Sequence, residues 1–188
     1  MGVNMNKKFK TILISTFVIG MFFASPIAGI NANAATATKG HPAVPQTGKL
    51  KWVKEDGSFT TNEWVYKERI LKNGTIESGW MYFGADGVAK NGWFDVNGKL
   101  YYAKEKLDSD KKREDDTYYI FMNTWAPDEN NCLVHHVDEN GAMQTGCWIK
   151  ETDGFWYYLD SSGKMIKNTV VQGSKIDMLG HWIKPVTY

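Results

Sequence analysis

An excess of either charge sign is missing from this sequence: 22 Lys and Arg stand against 21 Asp and Glu. A nucleic-acid binder or an electrostatic membrane binder carries a strong basic footprint, so both classes are excluded. Cysteine is scarce, with two in 188 residues, too few for a disulfide-stapled scaffold and at no zinc-binding spacing. Long hydrophobic runs are lacking too. The single uncharged apolar run, Thr11 to Phe23, falls short of the roughly 20 residues that a membrane-spanning helix needs.

That run has a different reading. Lys7, Lys8 and Lys10 precede it, and Ala32-Asn33-Ala34 follows with small residues where a signal peptidase cuts. A signal peptide over 1–34 is expected, leaving Ala35 as the mature N-terminus, an exported chain and no membrane contact after cleavage. Its removal takes three of the basic residues and none of the acidic ones, tipping the balance slightly acidic. The stretch 35–47 is Ala, Thr, Pro and Gly with few bulky residues and reads as a flexible spacer, with order beginning near Leu50.

Aromatic residues are abundant: Phe, Trp and Tyr make up 14% of the chain, with eight Trp, and many of the 18 Gly close aromatic clusters. The clusters repeat. Gly48 to Gly57, Gly79 to Gly87, Cys132 to Gly141 and Gly154 to Gly163 each run from an alternating aromatic strand into a turn ending in Gly, and Trp64, Trp93 and Trp148 follow these turns at six or seven residues. Val170 stands where the last copy would place its Trp. Gly98 to Ala103 is a further strand, its turn replaced by the charged segment 104–116, expected as a solvated loop before a strand resumes at Thr117. In Phe155 to Leu159, Trp156 and Tyr158 share one face, and Phe155, Tyr157 and Leu159 share the other. A hairpin apolar on both faces must lie against neighbours to be stable. The expected fold over 48–188 is therefore all-β, tandem hairpins stacked as an elongated β-solenoid.

Thr145 to Asn168 resembles one whole cell-wall-binding (choline-binding) repeat, with a Gly-Trp opening, a Gly-x-Trp-Tyr-Tyr strand and a Gly-x-Met exit. Asn91 to Tyr102 is similar to the related repeats of glucan-binding proteins and clostridial toxin tails. The resemblance implies a quaternary ammonium held among aromatic rings, each ring face worth on the order of 0.5–2 kcal/mol. Carried over, two walls are Trp148 and Trp156, with Tyr158 on the same face as Trp156 and a third ring from a neighbouring hairpin. Trp64 and Trp80 form a second candidate pair, interrupted by an insertion around Lys72. The position of Trp156 is taken by Val134 and Leu100 in other copies, and that of Tyr157 and Tyr158 by His135 and His136.

Centring a hairpin on Glu139 and Asn140 sets Cys132 opposite Cys147, a geometry that allows a disulfide in an oxidising compartment. His135 and His136 project to opposite faces of a strand and cannot share one metal ion. The acidic runs Asp108 to Asp116 and Asp128 to Asn131 lack calcium-loop spacing. No metal, cofactor or catalytic group is expected. The sequence reads as a secreted, non-catalytic protein held non-covalently to a wall polymer, choline-bearing teichoic acid or wall glycan, of a Gram-positive bacterium. The alternatives are glucan or host-carbohydrate binding, an accessory part of a wall hydrolase, and a purely structural role.

Overall fold

In the computed structural model, residues 39–45, 48–70, 74–107 and 113–184 are described, and among them every regular element is a β-strand. The expected signal peptide 1–34 lies outside the described residues.

Among the described residues, five hairpins and one three-stranded sheet follow one another in chain order. They are β1 (Gly40–Ala43) with β2 (Lys51–Lys54), then β3 (Glu63–Ile70) with β4 (Ile76–Phe83). The three-stranded sheet is β5 (Gly92–Val96), β6 (Lys99–Leu107) and β7 (Arg113–Ile120). Next come β8 (Thr124–Pro127) with β9 (Leu133–Val137), β10 (Cys147–Lys150) with β11 (Trp156–Leu159), and β12 (Thr169–Val171) with β13 (Ser174–Ile176).

The turns after β9, β11 and β13 are built the same way. Asp138 Oδ1 accepts the amides of Asn140 and Ala142 at 2.8 and 2.9 Å, Asp160 Oδ1 those of Ser162 and Lys164, and Asp177 Oδ1 those of Leu179 and His181. Such Asx turns bring the chain back on itself, so that Met143 bridges to Val137, Met165 to Leu159 and Trp182 to Ile176. The turns also stack. A Cβ added to Gly163 would lie 2.9 Å from Met143 Cε and 3.0 Å from the Gln144 carbonyl, and its φ of +79° already favours glycine.

Backbone bonds lock each turn onto the hairpin before it. Ala89, Met143, Met165 and Trp182 donate their amides to the carbonyls of Leu50, Leu100, Val134 and Trp156 at 2.7–2.9 Å. Side chains fill the gaps between units. Val65, Met81 and Phe83 pack with Leu50 and Trp52, Trp64 and Tyr82 pack with Phe94 and Tyr101, and Ile149, Tyr157 and Leu159 gather Trp125 and Met165. This is the stacked-hairpin β-solenoid expected from the two-sided aromatic strands.

Three expectations are corrected. Within the presumed spacer, Gly40–Ala43 forms β1, which pairs with Lys51–Lys54. β2 has an edge to satisfy, and even a strand containing Pro42 can do so at the end of an array. The charged segment 104–116 is not simply a loop, because β6 runs on to Leu107 and β7 starts at Arg113. Tyr118 and Ile120 are anchored in the core, and β6 continues because their strand offers its backbone a partner. Finally, Cys132 and Cys147 are free thiols. The turn at Gly141 pairs Val137 with Met143, a register one residue away from the one that would face the cysteines. Beyond it the strands diverge: β9 pairs with β8, and β10 with β11.

Candidate functional site

Four opening strands, β3, β5, β8 and β10, carry a Trp directly across from a ring on the partner strand. The pairs are Trp64 with Tyr82, Trp93 with Tyr102, Trp125 with His136 and Trp148 with Tyr158. Their ring centroids are 4.8–5.3 Å apart. Three of these Trp also meet, edge to face, a ring from the next hairpin along the array. Trp64 meets Tyr101 at 5.0 Å, Trp93 meets His135 at 5.4 Å and Trp125 meets Tyr157 at 5.2 Å. In every case the second ring is the residue just before the next hairpin's cross-strand partner.

The rule breaks at Trp148. In the following hairpin Val170 pairs with Lys175, so the corresponding residue is Ser174, which has no ring to offer. The indole of Trp148 therefore lacks the wall that packs its three counterparts. Trp148 is half-buried on the face of β10 and β11 that also carries Lys150, Trp156 and Tyr158, the register setting Trp148 against Tyr158 and Lys150 against Trp156. The opposite face, Cys147, Ile149, Tyr157 and Leu159, turns into the core. Trp156 is half-buried too; its carbonyl is held by the Trp182 amide, and the Lys150 ammonium lies 6.0 Å from its ring centroid.

Trp64 and Trp80 are not brought to such a face. They are 7% and 9% exposed, and both belong to the cluster that includes Tyr82, Phe94 and Tyr101. Their rings are covered by packing. Val134 and Leu100, at the Trp156 position of their copies, supply no ring, so among the described residues only β10 and β11 combine a second-strand Trp with an opening-strand Trp that no ring of the next hairpin meets. The expected series missed Trp125, which opens a hairpin of its own, and Trp182, which replaces Met at the Gly-x-Met exit. The doublets Tyr101-Tyr102, His135-His136 and Tyr157-Tyr158 were the signal for the first. The triplet Gly180-His181-Trp182, parallel to Gly163-Lys164-Met165, was the signal for the second.

Polar groups near the face are engaged in structure. His136 is buried, with Nδ1 2.7 Å from Gln144 Oε1 and Nε2 2.8 Å from Glu151 Oε1. His135, on the other side of β9, lies with Nδ1 2.9 Å from the Gly163 carbonyl, so the two imidazoles are separated as expected. The Tyr157 hydroxyl donates to Asp153 Oδ2 at 2.7 Å. Burial, followed by that carboxylate, pushes the Tyr157 phenol well above its ordinary range, and the same hydrogen bond holds Asp153 low. Burial raises the Cys147 thiol. Among the described residues no group of His, Cys, Asp and Glu is arranged to hold a metal ion.

Two segments, 91–106 and 148–165, match the family model described as a putative cell wall binding repeat. They coincide with the hairpins β5–β6 and β10–β11. A repeat solenoid of stacked aromatic hairpins is thus the class of protein that the fold defines, and two of its hairpins are similar to putative cell wall binding repeats. Glucosyltransferase-S of Streptococcus mutans is 30% identical over 125 residues, 65% of this chain. The chain spans only 7% of that relative's length. Among solved structures, choline binding protein F of Streptococcus pneumoniae is similar over 77% of this chain and 48% of its own, at 24% identity and a TM-score of 0.41. The modular autolysin LytC of the same species, in complex with a synthetic peptidoglycan ligand, is similar over 77% of this chain and 34% of its own, at 17% identity and a TM-score of 0.44.

Proposed function

We propose that the chain is an exported, non-catalytic module that attaches to bacterial cell-wall polymers through the ring face of Trp148, Trp156 and Tyr158. One observation carries the reading: the inter-hairpin ring that meets Trp64, Trp93 and Trp125 is replaced at Trp148 by Ser174, leaving a half-buried indole without that ring on a hairpin that the family model matches. Half-buried rings on a rigid strand pair are suited to a ligand with an apolar face or a diffuse charge. The nearby carboxylates support binding over hydrolysis, because Asp153 and Asp160 close turns and Glu151 holds His136. Export rests on the signal-like segment 1–34, and non-covalent attachment follows from a binding surface of this kind.

The test is sedimentation of the purified mature chain with insoluble wall, choline resin and dextran in parallel. Retention by wall that is lost in Trp148→Ala supports the proposal. Retention by dextran alone would move the assignment to glucan recognition. N-terminal sequencing of protein from culture supernatant should read from Ala35.

A further inference from the structure

The ring face is not electrically neutral. Besides Trp148, Trp156 and Tyr158 it carries Lys150, exposed, paired in register with Trp156 and with its ammonium over that indole. The row continues into the last hairpin. The position that holds Tyr82, Tyr102, His136 and Tyr158 in the preceding hairpins is Lys175 there, also exposed. Among the described residues neither ammonium is in an ion pair with a carboxylate. A site for a quaternary ammonium needs ring faces free for the ligand's own cation. Here a resident cation already lies at one ring face, and a second stands where the next ring would be, so a cationic ligand meets repulsion as well as a missing wall.

We infer that the Trp148 face selects an anionic wall polymer, a polyhydroxylated chain whose sugar or polyol units lie on Trp148 and Trp156 while its phosphodiester groups meet Lys150 and Lys175, and that it discriminates against choline. This rests on the proposed attachment to the wall and specifies its ligand. The chemistry is complementary on both counts. Sugar and polyol C–H faces pack on indole without requiring a free cation site, and a phosphodiester places single negative charges at intervals along the chain that two exposed ammonium groups can meet. An exposed pair of this kind contributes modestly and is screened by salt.

The experiment uses the purified chain and Gram-positive walls in two forms, intact and stripped of phosphodiester-linked polymers by hydrofluoric acid. Intact walls should retain the protein and stripped walls, which lack both the polyol units and the phosphodiesters, should not. Lys150→Gln should lose about fivefold on intact walls, the factor expected of one exposed charge pair, rising salt should weaken binding likewise, and choline chloride should not displace the protein. Equal binding to both wall forms, displacement by choline, or unchanged binding by Lys150→Gln would overturn the anionic assignment. Trp148→Ala separates this failure from that of the parent reading. If that variant, folded by near-ultraviolet circular dichroism, binds intact walls like the wild type, the ring face is not the attachment surface and both readings fall; if it loses binding while Lys150→Gln does not, only the charge assignment falls.

Discussion

Nε2 of His136, on β9, lies 2.8 Å from Oε1 of Glu151, the residue that follows β10, so one buried contact ties two successive hairpins together. Nδ1 of the same ring meets Gln144 Oε1 at 2.7 Å, and Trp125 covers the imidazole edge to face at 5.3 Å. Three other units place tyrosine at this position, Tyr82, Tyr102 and Tyr158; here a polar ring has been accommodated by giving both nitrogens a partner. Removing one partner strands a buried polar atom. Glu151→Ala is expected to cost about 2 kcal/mol in denaturant unfolding, and the double variant with His136→Ala less than the sum of the single ones. Additive losses would show that the contact is not a coupled pair.

The stacking of turns can be separated from the backbone demand for glycine. Gly163 and Gly154 both have positive φ, +79° and +87°, so an alanine at either incurs about 1–2 kcal/mol of left-handed strain. A Cβ at Gly154 meets nothing within 4 Å, whereas one at Gly163 runs into Met143 and the carbonyl of Gln144. Gly163→Ala should therefore be the more destabilising by roughly 1 kcal/mol or more. Equal midpoints for the two variants in urea would mean that the turns do not press on one another.

Much of this was legible beforehand because it is local. Alternation in Phe155 to Leu159 named the two faces, and the glycines marked the turns. What depends on a distant partner was not visible. β1 has little apolar pattern of its own and exists because β2 offers an edge. The charged end of β6 is a strand because Tyr118 and Ile120 fix its neighbour in the core. The cysteine pairing failed on a shift of one residue at Gly141, which turn spacing alone does not specify. At the site, Trp148, Trp156 and Tyr158 were placed on one hairpin from spacing, but the burial of Trp64 and Trp80 follows from the rings of the next sheet, Phe94 and Tyr101.

The turn carboxylates set the response to acid. Asp160 is held below its ordinary value of 3.8 by the Ser162 hydroxyl, Asp128 by the Cys132 amide and Asp86 by the Val88 amide. A carboxyl lowered in the folded state contributes stability that is fully present above the unfolded value and is lost as pH falls through the folded one. The melting temperature should thus hold steady from neutral pH down to about 5 and fall below about 4, the range in which unfolded carboxylates take up protons. Asp160→Asn should flatten that fall. On the alkaline side the raised phenols of Tyr157, Tyr101 and Tyr82 act in the opposite sense, their contribution being lost as pH rises past the ordinary value of 10.

Trp125 and Trp148 occupy the same position in adjacent hairpins, and the fold gives them different work. Trp125 lies between His136 of its own hairpin and Tyr157 of the next, both edge to face, and so joins two units of the array. Trp148 meets Tyr158 within its hairpin at 5.1 Å, and the next hairpin presents Ser174 in place of a ring. Truncating Trp125 should open a cavity between units and cost about 2–4 kcal/mol, less than a wholly buried indole would because the ring is only half-buried. Truncating Trp148, half-buried as well but met by no ring of the next hairpin, should cost less, about 1–2 kcal/mol, and leave the stacking intact. Binding should rank the other way, with Trp148→Ala losing wall attachment while folded and Trp125→Ala retaining it at temperatures where the array is still formed. Matching stability losses in urea, or wall binding that follows Trp125 and not Trp148, would show that the Trp148 indole is a packing residue like its counterparts.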